Sequence, residues 1–238
     1  MLASIATALA TGLGALPLLR YKEMSPAWVA LSSAVAGGAM IGAAISLVFE
    51  GGSISLARVV IGGALGALFV WITRRALGRR PDLHLGALKG ANARRGLLIL
   101  GVMTLHSFTE GVGVGVSFAG DREFGLFIAL AIAVHNVPEG LAISLALVPN
   151  GTTVKQAAGW SIFSSLPQPL MAVPAYLGVE VFEPLLPAGL GFAGGAMAWM
   201  VIAYMLPEAM TKGSRLRIGV ATAAGAVGML VVGALLST

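Results

Sequence analysis

Residues 97–148 read LLILGVMTLHSFTEGVGVGVSFAGDREFGLFIALAIAVHNVPEGLAISLALV, two apolar runs at 97–119 and 124–148 separated by Asp121-Arg122-Glu123. Each run is long enough to cross roughly 30 Å of hydrocarbon, which takes about 20 helical residues. Near its middle each carries the same pattern: His106-Ser107-Phe108-Thr109-Glu110-Gly111 in the first and His135-Asn136-Val137-Pro138-Glu139-Gly140 in the second. With a rise of about 1.5 Å per residue from Leu97 and from Phe124, both histidines lie roughly 14 to 17 Å deep, near the midplane. An ionised carboxylate at that depth costs about 2.5 to 3.5 kcal/mol, so these groups must face the bundle interior and find partners.

Histidine and glutamate at i and i+4 share one helix face. Two such faces opposed offer two imidazoles and two carboxylates, His106, Glu110, His135 and Glu139. That donor set suits tetrahedral zinc, and also admits iron, manganese, cobalt, nickel and cadmium. Other readings stay open: two hydrogen-bonded pairs that stabilise their own helices, or a proton relay without metal. An intramembrane metal-dependent hydrolase would use Glu110 or Glu139 as general base on metal-bound water. The His-Glu-x-x-His spacing of one such class does not occur in the sequence.

The rest of the chain sets these runs in a membrane. Of 238 residues 57% are hydrophobic and 11% charged, and the mean hydropathy is +0.91, far from the balance a soluble domain needs. Further apolar runs near 2–19, 27–49, 56–73, 157–178, 184–207 and 216–236 bring the expected number of transmembrane helices to eight. The expected fold is therefore an all-α integral membrane protein, one transmembrane domain over 1–238. The first run could pass for a cleaved signal with Ala8-Leu9-Ala10 as its site, but no basic residue precedes it, so it is read as a helix. Cysteine is absent, which excludes thiolate metal sites and cysteine nucleophiles.

The net charge of +5 does not imply nucleic acid, because seven of the 15 basic residues (Arg74, Arg75, Arg79, Arg80, Lys89, Arg94, Arg95) share one stretch, a basic loop over about 74–96. With eight spans, the loops after the odd-numbered helices hold 13 of the 15, Arg20, Lys22, Lys155, Lys212, Arg215 and Arg217 included; only Arg58 and Arg122 fall opposite. That bias places the basic loop in the cytoplasm and both termini outside. Glu50, Asp121, Glu123, Glu180 and Glu183 fall on the outer side, as solvated loop charge or as an attractor for cations.

Helix-breaking residues gather near the motifs. Pro138 frees the carbonyl of Val134, beside His135, and Pro167 and Pro169 flank Gln168 and are expected to release the carbonyls of Phe163 and Ser165. Interrupted helices at the midplane point to transport sites. Ser161, Ser164, Ser165 and Gln168 form a polar face that reads either as a hydrated path or as interhelical hydrogen bonding. Gly-x-x-x-Gly pairs at Gly38/Gly42, Gly62/Gly66, Gly111/Gly115 and Gly191/Gly195 suggest close helix packing.

Taken together, the paired histidine motifs, the eight spans, the outward termini and the basic loop between helices three and four resemble the ZIP family of zinc and iron transporters, in its prokaryotic-type GufA-like branch. The likeness covers essentially the whole chain. It implies a ZIP-type bundle with its metal site between helices four and five, built on His106, Glu110, His135 and Glu139. It further implies that Ser107, Asn136 and Gln168 complete a neighbouring second site and that Met40 contributes a thioether. Thr109 stands where many relatives have proline, Ser107 where asparagine is usual, and Gln168 where a glutamate is typical. With that charge gone, one tightly held metal is expected rather than a pair. Glu208 matches a family acid near the exit, and by position alone reads as an interfacial charge.

The resemblance also implies a homodimer and no cofactor beyond the cargo, Zn2+ or another divalent metal (Fe2+, Mn2+, Cd2+, Co2+). The expected function is import of that metal into the cytoplasm by alternating access, without enzymatic turnover. The expected place is the lipid bilayer of a bacterial inner membrane or, alternatively, of a eukaryotic organelle. The basic loop has one histidine, His84, which speaks against metal sensing through it.

Overall fold

The computed structural model describes residues 1–20, 25–79, 84–85 and 88–236; Lys22 and Arg80 of the charge count lie outside them. The described chain is helical, with polarity reversed from that of a water-soluble domain. Large apolar side chains point outward, among them Leu9, Ile61, Leu170, Val227 and Leu235, while Ser4, Thr7, Thr11, His106, Glu110, Asn136, Glu139, Ser161, Ser164, Ser165 and Gln168 are buried. Hydrocarbon is as apolar as leucine, so burying apolar groups gains little there and polar groups seek one another inside.

The chain opens with α1 (Leu2–Leu13) and α2 (Pro17–Arg20). Ser25 caps the next helix by accepting the Trp28 N–H, and Pro26 fits its first turn, where the missing N–H is no loss. This helix, α3 (Pro26–Gly78), has 53 residues, about 80 Å of continuous helix and far more than a bilayer accepts. It does not run straight. Ser55, at φ −159° and ψ 98°, leaves the helical region, and the chain folds back, so that Ala44 lies against Gly194 and Gly63 against Gly195.

The basic stretch then forms an antiparallel pair, β1 (His84–Leu85) and β2 (Leu88–Lys89). Its leucines are buried, and both lie beside Gly96. Helix α4 (Gly90–Gly120) begins earlier than the apolar run, taking Arg94 and Arg95 into its first turns; arginine is a good helix former where lipid does not forbid it. Asp121 accepts the Phe124 N–H and so caps α5 (Arg122–Leu147).

Gly151, at φ +107°, makes the turn that follows, a conformation open to glycine and costly to most other residues. A reciprocal Thr153–Gln156 capping box starts α6 (Val154–Ser165). Leu166 separates α6 from α7 (Pro167–Leu177). Here the structure corrects the expectation that Pro167 releases the Phe163 carbonyl: that oxygen accepts the Leu166 N–H at 3.2 Å, a tightened turn that takes up the freed acceptor. After α8 (Val179–Phe182), α9 (Leu186–Met200) passes through a wide π turn at Val201–Met205 into α10 (Leu206–Lys212), and α11 (Arg215–Leu236) ends the described chain. Pro207 cannot donate to the preceding turn, a cause of such widening.

Among the described residues six stretches are long and apolar enough to cross a membrane: Leu2–Arg20, Pro26–Gly78, Gly90–Gly120, Arg122–Asn150, Val179–Lys212 and Arg215–Leu235. The chain is a multi-pass helical membrane protein. All four glycine pairs sit at helix contacts. Gly38 and Gly42 meet the backbone of α11 at Thr222 and Ala226; Gly62 and Gly66 meet α9, whose Gly191 and Gly195 meet Val59 and Gly63; Gly111 and Gly115 meet α7 at Gln168 and Ala172.

Candidate metal centre

Helices α4 and α5 run antiparallel, so the step from His106 to Glu110 and the step from His135 to Glu139 point in opposite directions along the bundle. The outcome is a ladder. On one rung His106 Nε2 lies 3.0 Å from Glu139 Oε1 and 3.3 Å from Glu110 Oε1, all three side chains being buried. Their ligand atoms lie within 4.8 Å of one another, close enough to surround one ion. His135 does not join this group. It is half-buried one turn away and lines a cavity of about 40 Å³ with Glu110, Thr109, Ser117 and Glu50. Of the four residues expected together, three converge, and the fourth meets Glu110 across that cavity.

Further polar groups hold the carboxylates. Gln168, at the start of α7, donates through Nε2 to Glu110 Oε2, which fixes that carboxylate while its other oxygen faces His106. The Gln168 Oε1 accepts from Thr7 Oγ1 at 2.6 Å and from Asn136 Nδ2 at 3.1 Å, and Asn136 Nδ2 also donates to the Thr7 carbonyl at 2.7 Å. Thr11 Oγ1 and Ser165 Oγ share a hydrogen bond of 2.7 Å. Asn136 and Gln168 are thus satisfied by each other and by α1. On α6 and α7, Ser165 and Gln168 bond across helices; Ser161 faces both its own Ala157 carbonyl at 3.0 Å and the Gly140 carbonyl of α5 at 3.5 Å, whereas Ser164 bonds the Ser161 carbonyl of its own helix.

Among buried polar atoms, Glu139 Oε2, His106 Nδ1 and Ser107 Oγ have no hydrogen-bond partner among the described residues, and Glu139 Oε1 meets only the His106 ring. Such groups are costly inside apolar protein, and a cation that took up the Glu139 lone pairs would relieve part of that cost. Met40, from α3, is buried in the apolar core that also includes Met103, Met197 and Met200. Glu208 pairs with Arg95 and, at 2.7 Å, with Lys212, at the end of the bundle where the basic stretch lies.

Thr7 and Thr11 belong to this network and were not expected in it. Their signal is in the sequence: Ser4, Thr7 and Thr11, at i, i+3 and i+7, form a polar stripe on an otherwise apolar helix.

An apolar-coated bundle enclosing imidazole and two carboxylates, with a glutamate-lined cavity beside them, belongs to the class of multi-pass membrane proteins whose buried donor set could hold a cation. The comparisons narrow the class. The family profile described as ZIP zinc transporter matches residues 82–235. A putative zinc transporter of Arabidopsis thaliana is 47% identical over 89% of this chain and 34% of its own length. The zinc transporter GufA of Myxococcus xanthus is 37% identical over 90% of this chain and 89% of its own length. Human zinc transporter ZIP11 is 34% identical over 52% of this chain and 39% of its length. The chain belongs to the ZIP zinc transporter family. It spans about a third of the Arabidopsis protein and nearly all of the bacterial one.

Proposed function

We propose that the chain carries a divalent metal cation, zinc first, across the membrane into the cytoplasm through the ladder between α4 and α5. The observation that carries this reading is the convergence of His106, Glu110 and Glu139 inside an apolar bundle. A neutral imidazole and carboxylates fit zinc, and one ion at a time is the stoichiometry that a neutral Gln168 favours. His135 and Glu110, facing the neighbouring cavity, would receive the ion on its way in; Met40 and Ser107 are assigned to the wall, and Asn136 and Gln168 to positioning.

Eight spans accommodate this reading. Ser55 divides the 53-residue helix into two crossings, and α6 with α7, each short by itself, make one broken crossing; added to the other five long stretches, these give eight. The basic stretch then lies in the cytoplasm and both termini outside. With the interior at about −100 mV a doubly charged ion gains about 4.6 kcal/mol on entering, at 2.3 per charge, which drives import without ATP. Rocking of one helix group against another would alternate access to the site. A cell membrane and a homodimer complete the proposal, the latter checked by cross-linking in native membranes.

Zinc uptake into proteoliposomes, with the natural chain set beside Glu139→Ala, tests the function. Saturable uptake lost in the variant supports it. Undiminished uptake in the variant rejects the site, and absence of flux in both, with metal still bound, favours the hydrolase reading.

A further inference from the structure

A second cavity, of about 550 Å³, lies at the opposite end of the bundle from Glu50, between the end of α3, the start of α4 and the α9–α10 junction. That volume is in the range of small-molecule sites. Arg74, Arg94 and Arg95 line it above an apolar floor that includes Leu77 and Leu98. Arg95 is neutralised by Glu208, which Lys212 also holds. Among the described residues neither Arg74 nor Arg94 has an acidic partner, so the cavity keeps a positive excess.

Its height in the membrane is marked independently. The Arg74 guanidinium sits 4.3 Å from the ring centre of Tyr204, and that of Arg75 sits 5.6 Å from the ring of Trp71. Trp71 and Ile72 are exposed beside them. Aromatic rings paired with arginine over exposed apolar residues are what the headgroup layer selects. Arginine also presents planar donor pairs that match phosphate oxygens.

We propose that this cavity binds the phosphate group of an anionic phospholipid, with Arg74 and Arg94 on the phosphate and the apolar floor against the glycerol and first acyl carbons. Basic pockets between helices at this level suit such headgroups. The site is separate from the metal ladder and does not depend on what the ladder carries.

The test is thermal unfolding of the purified full chain in detergent, with added phosphatidylglycerol, phosphatidylcholine or inorganic phosphate. Phosphatidylglycerol should raise the midpoint by several degrees and phosphatidylcholine should not. The double variant Arg74→Gln, Arg94→Gln should lose most of that rise, and Arg215→Gln with Arg217→Gln, changed at the same end but outside the cavity, should keep it. A rise kept by the first variant, or lost equally in both, overturns the site. An equal rise with inorganic phosphate alone overturns the lipid assignment in favour of a free anion. Should the cavity variant not fold, native mass spectrometry of the natural chain decides: retained phosphatidylglycerol in preference to phosphatidylcholine supports the proposal, and no preference rejects it.

Discussion

In the proposed centre, Gln168 is the residue that sets the expected number of ions. Its amide donates to Glu110 and accepts from Thr7 and Asn136, so the position contributes order without charge. Gln168→Glu should change both. Without metal, two carboxylates would face each other in a medium that screens little, and the thermal midpoint should fall. With zinc, the added carboxylate should raise bound metal from one ion per chain to two, read by elemental analysis after gel filtration. Thr7→Val removes a hydroxyl while keeping the shape of the side chain. It should cost about 0.6 to 1.7 kcal/mol of stability, the range for interhelical hydrogen bonds in membranes, with zinc stoichiometry unchanged. The histidine–glutamate pairs were legible because four costly residues repeated one spacing. That His135 stands a rung away was not, since it depends on the antiparallel stagger of two helices, which no single helix contains. Thr7 was overlooked because threonine in an apolar helix is cheap, its hydroxyl being able to bond its own backbone.

Among elements, the small residues are where helix meets helix. A Cβ on Gly140 would run into the carbonyl of Thr11, and one on Gly14 into the backbone of α5. That contact holds α1 against the motif helix. Gly140→Ala should therefore lower the yield of folded protein and its thermal midpoint, even though alanine is the better helix former. Gly101→Ala, with nothing within 4 Å of the added carbon, should be neutral or gain up to about 1 kcal/mol. If both variants behave alike in a detergent melting series, close approach is not what these glycines provide. The glycine spacings pointed to contacts without naming partners, and the structure pairs Gly111 and Gly115 with α7, the helix that carries Gln168. The turn at Ser55 was expected as a loop between apolar runs at 49 and 56. The chain reverses there with one residue outside helical geometry, because small residues on both arms let α9 pack against each.

At the scale of the whole molecule the two ends carry different chemistry, with the ladder between them. One end holds the arginines around Glu208; the other holds Glu50, at the cavity that reaches Glu110 and His135. Composition made this polarity legible, since 13 of 15 basic residues fall on one side of an eight-span reading. The cavity was not legible, because it arises where α3, α4, α5 and α9 leave space between them. Proton competition acts on the centre as a unit. A bound ion needs neutral imidazole and ionised carboxylates, so lowering the pH must weaken affinity, by about tenfold per pH unit for each proton displaced. Zinc titrations at stepped pH in detergent measure this directly, and an affinity that does not fall with pH would argue against histidine and carboxylate as ligands. Glu50 has a different part, because it touches the cavity and not the ligand group. A carboxylate at a mouth raises the local concentration of cations without holding them. Glu50→Gln should therefore raise the KM for zinc uptake by up to about tenfold at low ionic strength and leave the maximal rate nearly unchanged. Added salt should close the gap between variant and natural chain, because screening removes the same attraction. A fall in maximal rate with KM unchanged would instead place Glu50 among the groups that bind the ion during transfer, and the mouth would have to be sought elsewhere.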